Sequence, residues 1–264
     1  MAVPLTNIHP TAVIDAGASL GDDVTVGPYC VIGDGVELGD RCVLHSHVTL
    51  GGPSTIGAEN EFYPHCAVGG RSQDLKYERE PTYLKIGSGN TFREFVTVNR
   101  GTSPGDTTSI GNNGHFLAYS HIAHDCVVGD GVIFSNNGTL AGHVMVADNA
   151  ILGGLSAIHQ FCRVGRHAIT GGCSKIVQDV PPFMIADGNP AQVRGINSVG
   201  LQRHGFSEEH VRALKGAYKA IYRRDLTVNE AIGELKELYA GEGPDYPVNE
   251  LIAFVETSQR GIIR

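Results

Sequence analysis

The chain has 264 residues, and its 20 Lys and Arg against 28 Asp and Glu give a formal net charge of −8. An acidic balance argues against a general nucleic-acid-binding protein, which would carry a basic stripe. No stretch approaches the ~18 consecutive apolar residues of a membrane-spanning helix, and the N-terminal sequence MAVPLTNIHP lacks the basic and apolar regions of a signal peptide. We therefore expect a soluble cytoplasmic protein with no nucleic-acid partner and no membrane span.

A six-residue repeat dominates the sequence from Ile8 to Ile176. Of the 29 positions in this frame, 25 are apolar, and a glycine often follows them. The four exceptions are Asp74, Glu80, Pro104 and Thr170. Such a repeat is typical of a parallel β-helix, in which three units form one triangular coil, so that equivalent positions recur once per coil. Coils stack about 4.8 Å apart, and the frame predicts between nine and ten of them.

Two polar stretches interrupt the repeat, near 71–85 and 101–109, and we interpret both as loops extruded from the β-helix. The frame stops near Pro181, where a Pro-Pro pair ends the periodic sequence. We therefore expect a mainly β protein, with a parallel β-helix over residues 1–185 and a small α-helical C-terminal domain over residues 186–264.

The C-terminal part predicts three helices, at about 207–224, 227–240 and 246–258. Apolar residues recur on one face of the first helix, and Ser207 is a suitable N-cap for it. The sequence TVNE that opens the second helix forms a capping box, in which Thr and Glu satisfy each other's backbone N–H groups.

The cysteines follow the same frame. Five of the six lie two residues before a frame position, in the small inward-facing slot of the repeat; these are Cys30, Cys42, Cys66, Cys126 and Cys162. A free cysteine packs as a small hydrophobic residue, and no CxxC pair is present. We therefore expect these five to fill the core rather than to bind zinc or form disulfides, with only Cys173 outside the slot.

The histidines behave differently. Ten of the 12 lie in the repeat, and none occupies an inward-facing position: His9, His45, His47, His65, His115, His121, His124, His143, His159 and His167. We therefore expect all ten to lie outside the core, at the surface or at a subunit interface.

The coil period brings a subset of these histidines together. His124 precedes Gly142 by one coil period of three units, and Gly142 precedes Gln160 by the same interval. His143 and His159 neighbour these positions, so the group should line one edge on three successive coils, within about 10 Å. The residue His121 lies on the same turn as His124. A neutral imidazole is the usual general base near neutral pH, so this edge is the predicted catalytic site.

Around these histidines the sequence closely resembles the UDP-N-acetylglucosamine O-acyltransferases of the lipid A pathway, a family of hexapeptide-repeat acyltransferases. The matching strings are QDLKY at 73–77, RGT at 100–102, HIAHDC at 121–126, LAGHV at 140–144, HQF at 159–161, GGCS at 171–174, QDVPP at 178–182 and RGI at 194–196. The six-residue frame is common to many acyltransferases, whereas these histidine motifs at these offsets are far more specific. The resemblance spans essentially the whole chain and implies the left-handed form of the β-helix.

The resemblance implies an enzyme that moves an (R)-3-hydroxyacyl group from acyl carrier protein to the 3-hydroxyl of UDP-N-acetylglucosamine, the first step of lipid A biosynthesis. His124 corresponds to the general base, Asp125 is the candidate group that orients or polarises it, and the backbone N–H of Gly142 corresponds to the oxyanion donor. Because the thioester donor is already activated, we expect neither a metal nor a cofactor.

The resemblance also implies which residues bind substrate. Those near the sugar and diphosphate are Gln73, Asp74, Lys76, His121, His143, His159 and Gln160, and those near the nucleotide are Asn197 and Arg203. Gly172 matches a position that measures acyl-chain length, or is simply a turn glycine of the frame. The sequence departs from the family pattern at Ser72, Pro190, Val199 and His204, and the last two bear on nucleotide affinity.

Acyl carrier protein is acidic, so a local basic patch has to attract it to this acidic chain. Five basic residues cluster in the first predicted C-terminal helix and are the candidates: Arg212, Lys215, Lys219, Arg223 and Arg224. A solvated helix face is the alternative interpretation. The resemblance further implies a homotrimer with active sites between the subunits.

Three other interpretations remain open. The N-acyltransferase of the same pathway has an additional N-terminal nucleotide-binding domain, for which we expect a repeat beginning at Ile8 to leave no room. A β-helical carbonic anhydrase would bind zinc through three histidines, but His121 and His124 followed by an acid fit a base and its helper better. A purely structural β-helix gives no reason for polar residues to gather on one edge.

Overall fold

A computed structural model describes residues 6–264. Three parallel sheets form a triangular prism, to which each coil contributes one short strand per face. The first face contains Asn7–Ile8, Thr25–Val26, Val43–Leu44, Glu61–Phe62, Thr91–Phe92, His115–Phe116, Ile133–Phe134, Ile151–Leu152 and Ile169–Thr170. The second contains Val13–Ile14, Val31–Ile32, Thr49–Leu50, Ala67–Gly70, Thr97–Asn99, His121–Ile122, Thr139–Leu140, Ala157–Ile158 and Lys175–Ile176. The third contains Ser19–Leu20, Val36–Leu38, Ser54–Ile56, Tyr83–Ile86, Thr107–Ile110, Val127–Val128, Met145–Val146 and Arg163–Val164.

The strand register follows the sequence period. His121 pairs with Thr139, which occupies the equivalent position on the next coil. The frame residues point inward and stack in columns, as in the rings of Phe62, Phe92 and Phe116, whose successive centroids lie 4.9 Å apart. The nine strands of the second face correspond to nine coils, within the predicted number. The predicted left-handed parallel β-helix with a small helical C-terminal part is confirmed.

Both predicted loops leave the prism at the same place. They occupy residues 71–82 and 100–106, each between a strand of the second face and a strand of the third. We call the edge between these two faces the second corner. The loops hold three of the four polar exceptions to the frame. The fourth, Thr170, is buried, and its hydroxyl accepts a hydrogen bond from the N–H of Gly153 at 3.0 Å.

The cysteines lie where the frame predicts. The five slot cysteines are at most 1% exposed, whereas Cys173 is exposed, and all six are free thiols. The thiol of Cys126 donates a hydrogen bond to the carbonyl of Ala141 on the next coil, at 3.2 Å. Burial raises the pKa of Cys126 to about 12, so this thiol is a core side chain and not a nucleophile.

Beyond the ninth coil, a hairpin precedes four helices. Its strands are Met184–Gly188 and Ala191–Ile196, and the helices are α1 (Ser198–Arg203), α2 (Glu208–Tyr222), α3 (Val228–Leu238) and α4 (Pro247–Glu256). The first hairpin strand pairs with Ile169–Thr170 and so continues the first face. The expected division between residues 185 and 186 falls inside this strand, and the sheet extends to residue 196.

The three predicted helices are present as α2, α3 and α4. Ser207 caps α2 by accepting from the N–H of His210 at 3.1 Å, and the capping box of α3 joins Thr227 and Glu230 in both directions. The hairpin and α1 were not predicted, although the alternating burial of Ala191–Ile196 has a signal in its sequence AQVRGI. None of the helices within residues 6–264 has the length and apolar character needed to cross a bilayer.

One histidine differs from its prediction. His167 is only 3% exposed, so the expectation that all ten lie outside the core is wrong for this residue. It stands on a turn, but the C-terminal part covers it: the rings of His204 and Phe206 lie 4.6 and 5.2 Å away, and the amide of Asn197 donates to its carbonyl at 3.0 Å. Burial, assisted by the nearby charge of Arg166, lowers the pKa of His167 to about 4.

Candidate active site

Three successive coils bring the predicted catalytic group together at the second corner. His124, Gly142 and Gln160 occupy equivalent turn positions one coil apart. The N–H of His143 donates to the carbonyl of His124 at 3.0 Å, and the N–H of Phe161 donates to the carbonyl of Gly142 at 3.2 Å. These turn-to-turn hydrogen bonds fix the spacing of the group along the prism axis.

His124 and Asp125 form a hydrogen-bonded pair. The Nδ1 atom of His124 lies 2.8 Å from Oδ2 of Asp125, and the two side chains are 12% and 8% exposed. Because a carboxylate only accepts hydrogen bonds, Nδ1 carries the proton and Nε2 is left with a free lone pair. Asp125 is itself held from two sides, since its Oδ1 accepts from the N–H of Thr102 at 3.1 Å and its own N–H donates to the hydroxyl of Thr108 at 2.8 Å.

Two further histidines surround this pair. The ring of His143 meets that of His124 edge to face, with centroids 5.2 Å apart, and its Nε2 lies 3.5 Å from the carboxylate of Asp125. The Nδ1 atom of His121 lies 2.7 Å from the hydroxyl of Thr97. Burial lowers the pKa of His121, and the proximity of His124 lowers it further, so His121 is a neutral hydrogen-bonding group at neutral pH.

Next to these histidines, a cleft of about 540 Å³ runs along the second face. Its lining comprises Gln73, Asp74, His121, Ala123, His124, Thr139, Leu140, Ala141, Gly142, Ala157, Ile158, His159, Gln160, Lys175, Ile176 and Val177. The polar lining residues come from the first extruded loop and from successive coils of the second face, and alanine, leucine, isoleucine, valine and glycine residues make up the rest. Lys175 was not predicted, although the register Ala157↔Lys175 follows directly from the period.

The first extruded loop folds over the histidines. Oδ2 of Asp74 lies 4.0 Å from Nε2 of His124, opposite the Asp125 side of the ring. Asp74 is held in a tight turn, because its N–H donates to the hydroxyl of Ser72 at 3.2 Å and its Oδ1 accepts from the N–H of Lys76 at 2.9 Å. Gln73 reaches the cleft with Asp74, whereas the side chain of Lys76 is exposed and lies outside the lining.

Gly142 lies directly against the imidazole. A Cβ added there would stand 2.6 Å from Nε2 of His124, far inside van der Waals contact. The N–H of Gly142 donates no hydrogen bond within residues 6–264 and is free to bind another acceptor. This position therefore admits only glycine while His124 keeps its place, and it presents an N–H group beside the free nitrogen of the ring.

The two residues expected near the nucleotide lie outside this cleft. Asn197 is 5% exposed and caps α1, accepting from the N–H of Gly200 at 2.9 Å and donating to the carbonyl of His167. Arg203 is exposed in the last turn of α1. Neither side chain reaches the cleft of its own chain, so their role in nucleotide binding stays a prediction.

A metal interpretation can be tested on the same atoms. His124, Asp125 and His143 offer ligand atoms that all lie within 4.8 Å of one another. Two ligands of a tetrahedral zinc ion, each about 2.0–2.1 Å from it, would stand about 3.4 Å apart. The 2.8 Å between Nδ1 of His124 and Oδ2 of Asp125 is instead a hydrogen-bond distance, which favours a base and its helper.

Comparison with known proteins agrees with this architecture. Residues 179–263 match the family model described as UDP-N-acetylglucosamine O-acyltransferase, domain 2, and segments 6–39 and 17–52 match that of the bacterial transferase hexapeptide with six repeats. The acyl-(acyl-carrier-protein)–UDP-N-acetylglucosamine O-acyltransferase of Paraburkholderia phymatum is 51% identical over 262 residues, covering 98% of this chain and 100% of that protein.

Solved structures agree as well. A UDP-N-acetylglucosamine O-acyltransferase from Moraxella catarrhalis superposes with a TM-score of 0.93 at 42% identity, covering 97% of this chain and 99% of that one. The UDP-N-acetylglucosamine acyltransferase of Francisella novicida gives 0.93 at 36% identity, covering 97% and 94%.

The triangular β-helix, its six-residue repeat and the histidine–carboxylate pair at one corner place the chain in the class of hexapeptide-repeat transferases. Within that class, the chain belongs to the UDP-N-acetylglucosamine O-acyltransferase family, an assignment that rests on identity over almost its whole length. The predicted family and enzyme class are confirmed.

Proposed function

We propose that the chain transfers an (R)-3-hydroxyacyl group from acyl carrier protein to the 3-hydroxyl of UDP-N-acetylglucosamine, in the first step of lipid A biosynthesis. The observation that carries this proposal is the His124–Asp125 pair, whose free nitrogen faces a cleft beside the N–H of Gly142. The six free thiols support a reducing, cytoplasmic location.

The geometry supports direct transfer. Nε2 of His124 takes the proton from the sugar 3-hydroxyl as that oxygen attacks the thioester carbonyl carbon. The N–H of Gly142 stabilises the resulting oxyanion, and Asp125 stabilises the imidazolium through Nδ1. When the carbon–sulfur bond breaks, the imidazolium returns the proton to the leaving thiolate. The thioester is already activated, so no metal or cofactor is required.

The polar lining residues of the cleft would hold the sugar and diphosphate. Gln73 and Asp74 approach from the loop, while His159 and Gln160 line the cleft two coils beyond His124. Hydrogen-bonding side chains on opposite sides of a cleft fix the orientation of a bound ligand, and here they would direct one sugar hydroxyl towards Nε2 of His124.

Gly172 occupies a place suited to limiting the acyl chain. It lies on the ninth coil, at the corner between the first and second faces and three residues before the cleft residue Lys175, roughly 13 Å beyond His124 along the axis. Its backbone is outside the left-handed region, and an added Cβ would meet only the carbonyl oxygen of Gly154, at 3.5 Å. Neither turn geometry nor crowding therefore requires glycine here, which favours the role in chain-length selection.

We expect Gly172→Met to shift the preferred donor to a shorter acyl chain, because the side chain would occupy space that a longer chain needs. The measurement is kcat/KM for a series of acyl carrier protein thioesters. Gly195→Met is a matched control, since a Cβ there meets nothing within 4 Å and the residue lies on the hairpin strand Ala191–Ile196, which belongs to the first face and not to the second. An unchanged preference in Gly172→Met would contradict the proposed role.

The candidate surface for acyl carrier protein is the exposed side of α2. Arg224 forms a bidentate ion pair with Glu234. The Nε of Arg223 donates a hydrogen bond to the hydroxyl of Tyr218 at 2.8 Å. Arg212, Lys215 and Lys219 are exposed and form no ion pair within residues 6–264, so their charges are available to an acidic partner.

We expect the double substitution Lys215→Glu and Lys219→Glu to raise KM for acyl carrier protein about tenfold or more at low salt, with kcat little changed, because reversed charges repel the partner. High salt should reduce the difference. The control is Lys85→Glu, an exposed lysine on the third face. Equal KM values for the two variants would remove α2 from the docking surface.

A homotrimer is supported by an exposed aromatic edge. At the corner between the first and second faces, aromatic rings stack with centroids 4.8–5.0 Å apart; they belong to Tyr29, His47, His65, Phe95 and Tyr119. Tyr29, Phe95 and Tyr119 are 59%, 42% and 56% exposed. Contiguous apolar surface of this kind marks an interaction site, and the second face with its cleft begins at this edge.

We expect sedimentation equilibrium to give three times the 28.0 kDa mass of the chain. Replacing Phe95 and Tyr119 by Glu should lower that mass and reduce activity together, since the active sites would lie between subunits. A parent protein that sediments as a monomer, or a monomeric variant with full activity, would refute this arrangement.

The reaction itself is tested by incubating the purified protein with acyl carrier protein thioesters of several lengths and with UDP-sugars carrying a 3-hydroxyl or a 3-amino group. We expect O-acylation of the 3-hydroxyl sugar and no loss of activity with a chelator. Product formed only from the 3-amino sugar would assign the chain to N-acylation. Stoichiometric zinc whose removal abolishes turnover would favour the metal interpretation.

A further inference from the structure

The carboxylate of Asp125 depends on a group outside the repeat. Its Oδ2 accepts from His124, whereas its Oδ1 accepts from the backbone N–H of Thr102, at 3.1 Å. Thr102 lies on the second extruded loop and is only 6% exposed. The orientation of the catalytic pair is therefore set in part by a loop that belongs to the previous coil.

The same threonine also touches the first loop. Its Oγ1 lies 2.7 Å from Oγ of Ser72, and that hydroxyl accepts from the N–H of Asp74 at 3.2 Å. Asp74 in turn lies 4.0 Å from Nε2 of His124. These contacts form a closed ring around the imidazole, which runs from His124 through Asp125, Thr102, Ser72 and Asp74 back to His124.

The geometry points to Ser72 and Thr102 as positioning residues, which keep Asp125 and Asp74 at fixed places on the two sides of the His124 imidazole. One side is the Nδ1–Asp125 hydrogen bond, and the other is the gap between Nε2 and Asp74 in which the sugar hydroxyl would bind. The Ser72–Thr102 hydroxyl contact joins the loop that bears Asp74 to the N–H group that holds Asp125. The inference rests on the proposed roles of His124 and Asp125.

The loops have other attachments, so losing the hydroxyl contact should disturb positioning and not folding. The amide of Asn99 donates to the carbonyl of Arg71 at 2.7 Å, and the N–H of Arg100 donates to the carbonyl of Gly70 at 2.9 Å. Both hydrogen bonds remain in a variant that lacks a hydroxyl at position 72 or 102.

The test is a double-mutant cycle of Ser72→Ala and Thr102→Val; valine keeps the shape and backbone N–H of threonine. We expect Thr102→Val to lose about tenfold in kcat/KM for the UDP-sugar, the scale of one hydrogen bond. Ser72→Ala should lose at least as much, because its hydroxyl also accepts from the N–H of Asp74, and the double variant should lose little more than Ser72→Ala alone. Melting temperatures should stay within about 2 °C of the parent, and Thr102→Ser should restore most of the activity.

The control is Ser103→Ala, at the exposed next residue, whose hydroxyl makes no hydrogen bond within the described part of the chain. Single variants within twofold of the parent, or losses that multiply in the double variant, would overturn the inference. His124→Ala is assayed in parallel: if it stays active, the base assignment fails, whereas an inactive His124→Ala with fully active loop variants rejects only the positioning role.

Discussion

Replacing His124 with Ala should reduce kcat by at least about 10²–10⁴-fold, the usual contribution of a positioned general base. The side chain supplies the nitrogen that is paired with Asp125 at 2.8 Å and lies in the lining of the cleft, directly against Gly142. Binding of the UDP-sugar should be largely retained, because the other cleft residues are unchanged. Steady-state kinetics and calorimetric titration with the nucleotide sugar measure the two quantities.

His115→Ala is the matched control for this substitution. His115 lies on the same coil as His124 but is exposed on the first face, outside the cleft. We expect its kinetics to stay within twofold of the parent. Near-normal turnover in His124→Ala would show that another group takes the proton from the sugar.

Gly142→Ala should be nearly as damaging, with a loss in kcat on the order of 10²-fold or more, because it displaces the general base. The added methyl would collide with the imidazole, since Cβ would stand 2.6 Å from Nε2 of His124. Alanine keeps the backbone N–H, so the loss would report displacement of the base and not removal of the oxyanion donor. The measurements are kcat and the melting temperature. The melting temperature should change little, because the three heavy atoms nearest the added Cβ all belong to the His124 imidazole and none to the hydrophobic core.

Gly172→Ala serves as the comparison, because its added Cβ would make only ordinary contact, at 3.5 Å from the carbonyl oxygen of Gly154. It should retain most of the activity with medium-length donors. Full activity in Gly142→Ala would mean that the imidazole can move without consequence and would argue against the close arrangement of base and oxyanion donor.

The sequence predicted those residues of the candidate site that recur with the coil period of the β-helix. His124, Gly142 and Gln160 are related by whole coil periods, and Lys175 could have been added in the same way from Ala157. Thr102 could not, because an extruded loop has no period. Its hydrogen bond to Asp125 depends on how the loop folds back, and the frame contains no information about that path.

The burial of His167 shows a second limit of the sequence pattern. The frame correctly places it on a turn, but turns become buried when another part of the chain packs over them. The C-terminal part covers His167 through His204 and Phe206, which follow much later in the sequence. Periodicity reports the direction of a side chain relative to its own coil and nothing about later segments.

By itself, the sequence determined the coil, the core and the edge on which the catalytic histidines meet, because a repeat of fixed length converts sequence intervals into spatial ones. Tertiary structure alone decided what closes around that edge. The two loops carry Asp74 and Thr102 to opposite sides of the His124 ring, and the helical part seals the last coil. Those contacts depend on side-chain packing between non-repeating segments, whose relative positions follow from the folded chain and not from any interval in the sequence.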